Sequence, residues 1–328
     1  MSTRARLGVG HSLDVGSWEY QHSLGPPLCG TIALVSAASV LCPIDFSDPS
    51  RAALVYANAL AEHFGAELVL LAVDDPLLAE AAGAGLDTPL EVETRKELER
   101  FAASVIGSPI SAAAHITLRV RTGKPAVEIL HEARERSSDA IVMSSRGQTG
   151  TRKLFFGSTT ERVLRETPIP VLVTPAGPPW GTTIDQLATR IGRVLAPVDL
   201  SSASPRQLAI ASGIATALDV PLVVAHVMEP ITIPQRVRQQ LTGADAMRRM
   251  QAEQKLDALV ALSAAKCETL IVSGDPAEEI VKLAEARHAN LIVMGLHSPE
   301  SSGPRMGAVT YRVLSLTQRL VLALPPAA

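Results

Sequence analysis

The chain has 328 residues, of which 47% are hydrophobic but only 3% aromatic, and a formal net charge of −3. That length points to about two domains, aliphatic cores of this kind suit sheets covered on both faces, and a near-neutral balance gives no electrostatic footprint for nucleic acid. Three scattered cysteines, Cys29, Cys42 and Cys267, speak against a disulfide framework, and no apolar run reaches the roughly 18–20 residues of a membrane span, so a cytoplasmic protein without membrane contact is expected.

In chain order, residues 1–36 carry no assignable element and are expected to form an extension, disordered or partly ordered. Residues 40–44 are a short apolar run, expected to be a buried strand. Asp48-Pro49 then reads as a helix start, with Asp48 as N-cap and Pro49 in the first helical position. Ala52, Val55, Tyr56, Ala59, Leu60 and His63 follow at helical spacing. A second strand is expected over 68–73, then a long loop holding Gly83 and Gly85, a charged helix near 90–106 and a strand over 115–120. A helix near 125–136, a strand over 140–143, a glycine-rich loop, a helix from Ser158 and a strand over 170–173 complete the series. Strands alternating with helices in this way imply a parallel sheet with right-handed crossovers.

The series then repeats. Val40-Leu41-Cys42-Pro43-Ile44-Asp45-Phe46-Ser47 returns as Val194-Leu195-Ala196-Pro197-Val198-Asp199-Leu200-Ser201. Gly123-Lys124-Pro125-Ala126 returns as Gly274-Asp275-Pro276-Ala277, and Ile141-Val142-Met143 as Ile292-Val293-Met294. A period of about 150 residues marks duplicated domains, since solenoid repeats are about 20–50 residues long. The expected copies span 37–177 and 190–326, joined by a linker over 178–189 that opens on Pro178-Pro179-Trp180-Gly181. The fold class is therefore α/β: two tandem doubly wound domains, each with a five-stranded parallel sheet flanked by helices.

Such sheets bind ligands outside the carboxyl ends of their strands, where strand order reverses. Asp45 follows the first strand, and Ser144-Ser145-Arg146-Gly147-Gln148-Thr149-Gly150 follows the fourth. Gly157-Ser158-Thr159-Thr160 comes at a helix start. Glycines let backbone N–H groups approach an anion, and a helix start adds free N–H groups and a favourable dipole. Arg146, Arg152, Lys153 and Lys124 are available to offset phosphate charge, and an ionised Asp45 suits ribose hydroxyls or an adenine amine. Plainer readings stand beside these: Asp45 with Ser47 as a helix cap, Gly147 and Gly150 as turn residues, Arg152 and Lys153 as a solvated face. Cys42 reads as a buried strand residue, and His226 and His297 as structural or exposed. The chain has no Walker A loop, no GxGxxG fingerprint and no Gly-x-Ser-x-Gly elbow. No catalytic residue and no metal ligand is assigned.

Pro43-x-Asp45-x-Ser47, the strand Leu70-Leu71-Ala72-Val73, and Gly147-x9-Gly157-Ser158 ahead of Pro170-Val171-Leu172-Val173 together resemble the universal stress protein family. The resemblance implies an adenine nucleotide alpha-hydrolase-like fold and binding of ATP, with Mg2+ a possible companion. Asp45, within the Pro43 motif, and the backbone of Val73 would contact the nucleoside. Met143, Ser144 and Gly147 would line the cleft beside Arg146, and Gly157, Ser158 and Thr159 would hold phosphates. The ATP-binding pattern of the family is Gly-x2-Gly-x9-Gly-Ser/Thr, and here Ser144 replaces its first glycine. The second copy departs further: Ser298 replaces a glycine, Ala308 replaces the hydroxyl residue, and Pro299 and Pro304 remove N–H donors. Asp199 and Val227 persist, so one ATP per chain is expected and the second copy reads as mainly structural. The implied function is a stress-response regulatory protein working through nucleotide-dependent conformation or an unidentified protein partner, with at most slow hydrolysis. The alternative is a non-nucleotide-binding scaffold. In relatives, two single domains pair through their last strands, so residues 170–173 are expected beside 319–323 as a pseudo-dimer within the chain. A homodimer of whole chains stays open.

Overall fold

A computed structural model describes residues 38–83, 89–109, 113–147, 157–231, 243–261, 266–296 and 306–326. The first half runs β1 (Ser39–Ile44), α1 (Asp48–Phe64), β2 (Glu67–Asp74), α2 (Pro76–Gly83), α3 (Leu90–Ile106), β3 (Ile116–Thr122), α4 (Pro125–Glu135), β4 (Ala140–Ser144), α5 (Ser158–Glu166) and β5 (Val171–Thr174). A connecting helix, α6 (Ile184–Ile191), follows. The second half runs β6 (Val194–Pro197), α7 (Ser204–Ala217), β7 (Leu222–Met228), α8 (Ala244–Val260), β8 (Cys267–Ser273), α9 (Pro276–Ala286), β9 (Leu291–Gly295), α10 (Ala308–Leu316) and β10 (Leu320–Leu324).

The strands lie in the order β3-β2-β1-β4-β5-β10-β9-β6-β7-β8. Each half contributes five parallel strands, and the chain steps from β1 outward to β2 and then back across to β4. The last strands of the two halves pair antiparallel, Leu172 opposite Leu322 and Val173 opposite Val321. The adjacency expected of these strands is present. The two five-stranded sheets expected from the sequence are in fact one ten-stranded sheet, because β5 and β10 each offer an otherwise unpaired edge to the other.

Alternation along each strand sends side chains to two helical layers. Val40 and Cys42 face a core completed by Leu54 of α1, Leu98 of α3, Leu187 of α6 and Leu208 of α7. Leu41 and Ile141 face another, closed by Ile129 of α4, Val163 of α5, Ile280 of α9 and Val313 of α10. Both cores cross the seam: Leu172 and Leu322 share the first, and Val171, Val173 and Val321 the second. Cys42 is buried and free, as its strand position implied.

Several elements differ from the sequence reading. The N-cap of α1 is Ser47, whose Oγ accepts the Ser50 N–H at 3.2 Å, so Asp48 is already helical. Helix α2 occupies part of the expected long loop: Leu77, Leu78, Ala79, Glu80 and Ala81 are good helix formers behind a proline, and Asp75 accepts the Leu77 N–H at 2.8 Å. Strand β3 continues two residues past 120, pairing Arg121 with Val73 and Thr122 with Asp74. The stretch read as linker carries α6, capped by Thr183, with Leu187 and Ile191 buried. Trp180 ahead of it meets Tyr56 edge to face at 6.2 Å. The extension over 1–36, with Cys29, lies outside the described residues, as does Gly85. Among the described residues no helix is long and apolar enough to cross a membrane.

Candidate functional site

The carboxyl ends of β1 and β4 diverge at the point where strand order reverses, and a cleft of about 420 Å³ opens there. Pro43, Asp45, Val73, Met143, Ser144, Arg146, Gly147, Gly157, Ser158 and Thr159 all line it. The ten residues singled out in the sequence are therefore brought together from β1, β2, β4 and the start of α5. Lys124 is not part of the lining. Gly150, Arg152 and Lys153 lie outside the described residues. Ile44, Phe46, Asp74, Leu78, Pro125 and Thr160 also line the cleft. None of these six was assigned to the site from the sequence, although Ile44, Phe46, Pro125 and Thr160 stand inside the quoted motifs and Leu78 and Asp74 follow closely on Val73.

Asp45 has a local structural role. Its Oδ1 accepts the Ser47 N–H at 3.1 Å and the Ser47 hydroxyl at 2.5 Å. Ser47 in turn caps α1, so the helix-cap reading of this pair holds, with Asp45 orienting the cap. Between them Phe46 sits at φ 62, a left-handed conformation that is uncommon for a bulky residue. Its ring meets Phe101 of α3 edge to face at 5.6 Å, which pins the turn. Leu200 repeats the conformation at φ 61 in the second half, so the turn belongs to the duplicated fold. Gly147 approaches Asp45 from the other side: a Cβ on the glycine would lie 2.5 Å from Asp45 Oδ2.

At the β4 end, the Gly157 N–H donates to the Ser145 carbonyl at 2.9 Å. Gly157 is the N-cap of α5, with φ −64 and ψ 132 and no side-chain bond to the first turn. Gly157 needs no left-handed conformation here, because an extended N-cap delivers the chain into the helix. A Cβ there would meet the Ser145 carbonyl at 3.5 Å, an ordinary contact. The Ser144 hydroxyl donates to the Arg146 carbonyl, and the Thr160 hydroxyl donates to the Ser144 carbonyl at 2.9 Å. These bonds tie the loop after β4 to α5, leaving the uncapped first turn of α5 with Ser158 and Thr159 beside the cleft. Arg146 is the one cation among the described lining residues.

At the β2 end stands Asp74, a buried residue. Its Oδ1 accepts the Thr94 hydroxyl at 2.8 Å, while its Oδ2 is buried with no hydrogen-bond partner. Burial pushes this carboxyl above the usual range; the Thr94 bond opposes the rise and the charge of Glu91 adds to it.

The second half has a matching cleft of about 350 Å³, lined by Pro197, Asp199, Val227, Met294, Gly295 and Gly307 among others. Gln207 lies buried beside it, its amide donating to the Pro197 and Val293 carbonyls at 2.6 and 2.9 Å. A ring nitrogen of His226 lies 2.8 Å from the Val198 carbonyl, a structural contact. Against the burial that would raise it, hydrogen bonds from Ser201 and Ser204 hold the Asp199 carboxyl below its usual range. Ala308 and Val309 open α10 where Ser158 and Thr159 open α5, and the hydroxyl that remains, Thr310, donates to the Gly295 carbonyl at 2.8 Å. His297, Ser298, Pro299 and Pro304 lie outside the described residues.

Comparison with known proteins agrees with the duplication. The model of the universal stress protein family matches twice, over residues 38–175 and 190–325. Universal stress protein MJ0531 of Methanocaldococcus jannaschii is 31% identical over 139 residues, 41% of this chain and 79% of that protein. Universal stress protein YxiE of Bacillus subtilis is 31% identical over 142 residues, 41% of this chain and 96% of its own. A crystal structure of a universal stress protein from Archaeoglobus fulgidus superposes with a TM-score of 0.59 and 23% identity, covering 88% of this chain and 96% of that one. That likeness extends through both halves and concerns the fold.

Proposed function

The chain belongs to the universal stress protein family, and from that premise we propose that its first half binds an adenine nucleotide, ATP, and that nucleotide occupancy sets the conformation or partner contacts of a stress-response regulator. The observation that supports this reading is the convergence of ten sequence-selected residues on one cleft at the switch point. The fit is chemical as well as spatial. An uncapped helix start flanked by Ser158 and Thr159 suits phosphate oxygens, and Arg146 offsets their charge. A Cβ on Gly147 would press on the Asp45 carboxylate, and its absence suits a close backbone approach. Apolar Val73, Leu71, Met143 and Ile129 suit the flat face of a base. Among the described residues no group of three or more His, Cys, Asp or Glu is arranged to hold a metal ion, so Mg2+ would arrive with the phosphates.

Calorimetric titration of the full chain with ATP tests the reading. One ATP per chain is expected, because α10 begins on Ala308 and Val309 where α5 begins on Ser158 and Thr159. No heat of binding would overturn the reading in favour of a nucleotide-independent scaffold, and two equivalent sites would overturn the assignment to the first half.

A further inference from the structure

A cavity of about 60 Å³ lies apart from both clefts, on the face of the sheet that carries α1, α6 and α7, over the paired strands β5 and β10. Tyr56 of α1, Leu187 of α6, Ala217 of α7, and Leu172 and Leu322 of the seam all border it. No polar atom of the described residues faces into it. The Tyr56 hydroxyl is engaged elsewhere, accepting the Trp180 N–H at 3.1 Å. The space has its origin in the connecting helix. Helix α6 has no counterpart in the repeat, and its eight residues cover about 12 Å, less than half the length of the seventeen-residue α1. One short helix therefore roofs part of the trough between α1 and α7 and leaves the rest unfilled. The rim is apolar as well: Leu60, Phe64, Ile184 and Leu218 are half-buried and Ala217 is exposed, so the cavity opens to solvent.

Water is a poor occupant, since a buried water needs two to four polar partners. Left empty, the void forfeits packing along all its walls. An apolar cavity of about 150 Å³ admits a benzene ring; at less than half that volume, this one has room for the end of an alkyl chain and none for a ring. Apolar ligand sites favour the interfaces between domains, and this cavity lies on such an interface. We propose that it is a ligand site for a small molecule bearing an unbranched alkyl chain, whose end enters the cavity while its polar head stays in solvent beyond Ala217. An occupant touches both halves and the helix that joins them, so binding holds the halves together at the seam. The site is independent of the nucleotide reading above.

The test uses the full-length protein carrying Trp18→Phe, which leaves Trp180 as the single tryptophan. The Trp180 ring meets Tyr56 edge to face at 6.2 Å, and Tyr56 is cavity wall, so its emission reports on the site. The probes are 1-hexanol and cyclohexanol, matched in carbon number and hydroxyl, the first a chain and the second a ring. 1-Hexanol should shift Trp180 emission saturably and raise the melting temperature. Cyclohexanol should bind about tenfold more weakly, because a ring overpacks the walls. Ala217→Leu fills the mouth with a residue of similar helix propensity, so the variant should fold, as circular dichroism checks, and lose the response to 1-hexanol. Leu187→Ala widens the cavity at some cost in stability and should bind cyclohexanol at least as tightly as 1-hexanol. A reporter protein with no saturable response to 1-hexanol overturns the proposal, whether or not either variant folds. An Ala217→Leu protein that keeps the full response overturns it too, and equal binding of ring and chain to the reporter protein overturns the choice of an unbranched chain.

Discussion

At the residue scale, the tightest constraint on the cleft is the approach of Gly147 to Asp45. Ser47 holds one Asp45 oxygen, Oδ1, through two hydrogen bonds, so yielding to the 2.5 Å contact that a methyl group would make with Oδ2 strains that hold. Gly147→Ala should therefore displace Asp45, loosen the Ser47 cap at a cost of about 1 kcal/mol, and weaken ATP by tenfold or more. Gly157→Ala is the control for stability, since its Cβ meets only ordinary contacts. Thermal melts and ATP titrations of both variants check this, and a Gly147→Ala protein matching the unaltered chain in both would refute it. Asp74 gives a pH signature. Its carboxyl is raised by burial, so the folded chain holds that proton more tightly than the unfolded chain. The stability this proton contributes is complete below the ordinary carboxylate range and is lost as pH rises through the raised folded value. Asp74→Asn should thus gain on the unaltered chain as pH climbs through that window and gain nothing below it. Melting curves across pH decide the matter, and an advantage that grows toward acid would contradict the burial argument. The sequence marked Asp45 and Gly147 because each stands at a strand end in a motif. It did not mark Asp74, because Asp74-Asp75-Pro76 reads as turn chemistry, and only Asp75, which caps α2, behaves that way.

At the scale of elements, the strands were legible because each is a short apolar run and the second copy repeats the pattern. The helices that were missed, α2 and α6, sit in stretches where prolines and glycines dominate the reading. In α2 the run of Leu and Ala outweighs them, and in α6 two buried residues, Leu187 and Ile191, anchor an amphipathic turn to the first core. That core has no signature in either copy alone, since α6 has no counterpart in the repeat. The seam strands carry the strongest expectation at this scale. Leu322 of β10 is 1% exposed and faces the same core as Leu172 and Leu187. Leu322→Ala should cost about 2–5 kcal/mol and should lower the stability of both halves together. Urea denaturation followed by far-UV circular dichroism reads this out. A separate early transition in the variant, with the rest of the curve unmoved, would show that the halves fold independently.

At the scale of the whole molecule, the duplication was visible in sequence because a two-part period of that length has few explanations. Fusion into one sheet was less visible, since edge pairing depends on residues far apart in the chain and on which edge each half leaves open. The seam has a consequence for how the protein meets its surroundings. Within each half the strands are parallel, and across the seam they run in opposite directions. The carboxyl ends of the two sets of strands, and with them the two clefts, therefore face opposite borders of a sheet roughly 43 Å wide at about 4.8 Å per strand. The molecule has a polarity. One border bears a mouth with an uncapped helix start beside serine and threonine, and the opposite border bears its counterpart without that hydroxyl pair. A second molecule docked over the first mouth would sense whether it is filled and could remain out of touch with the other.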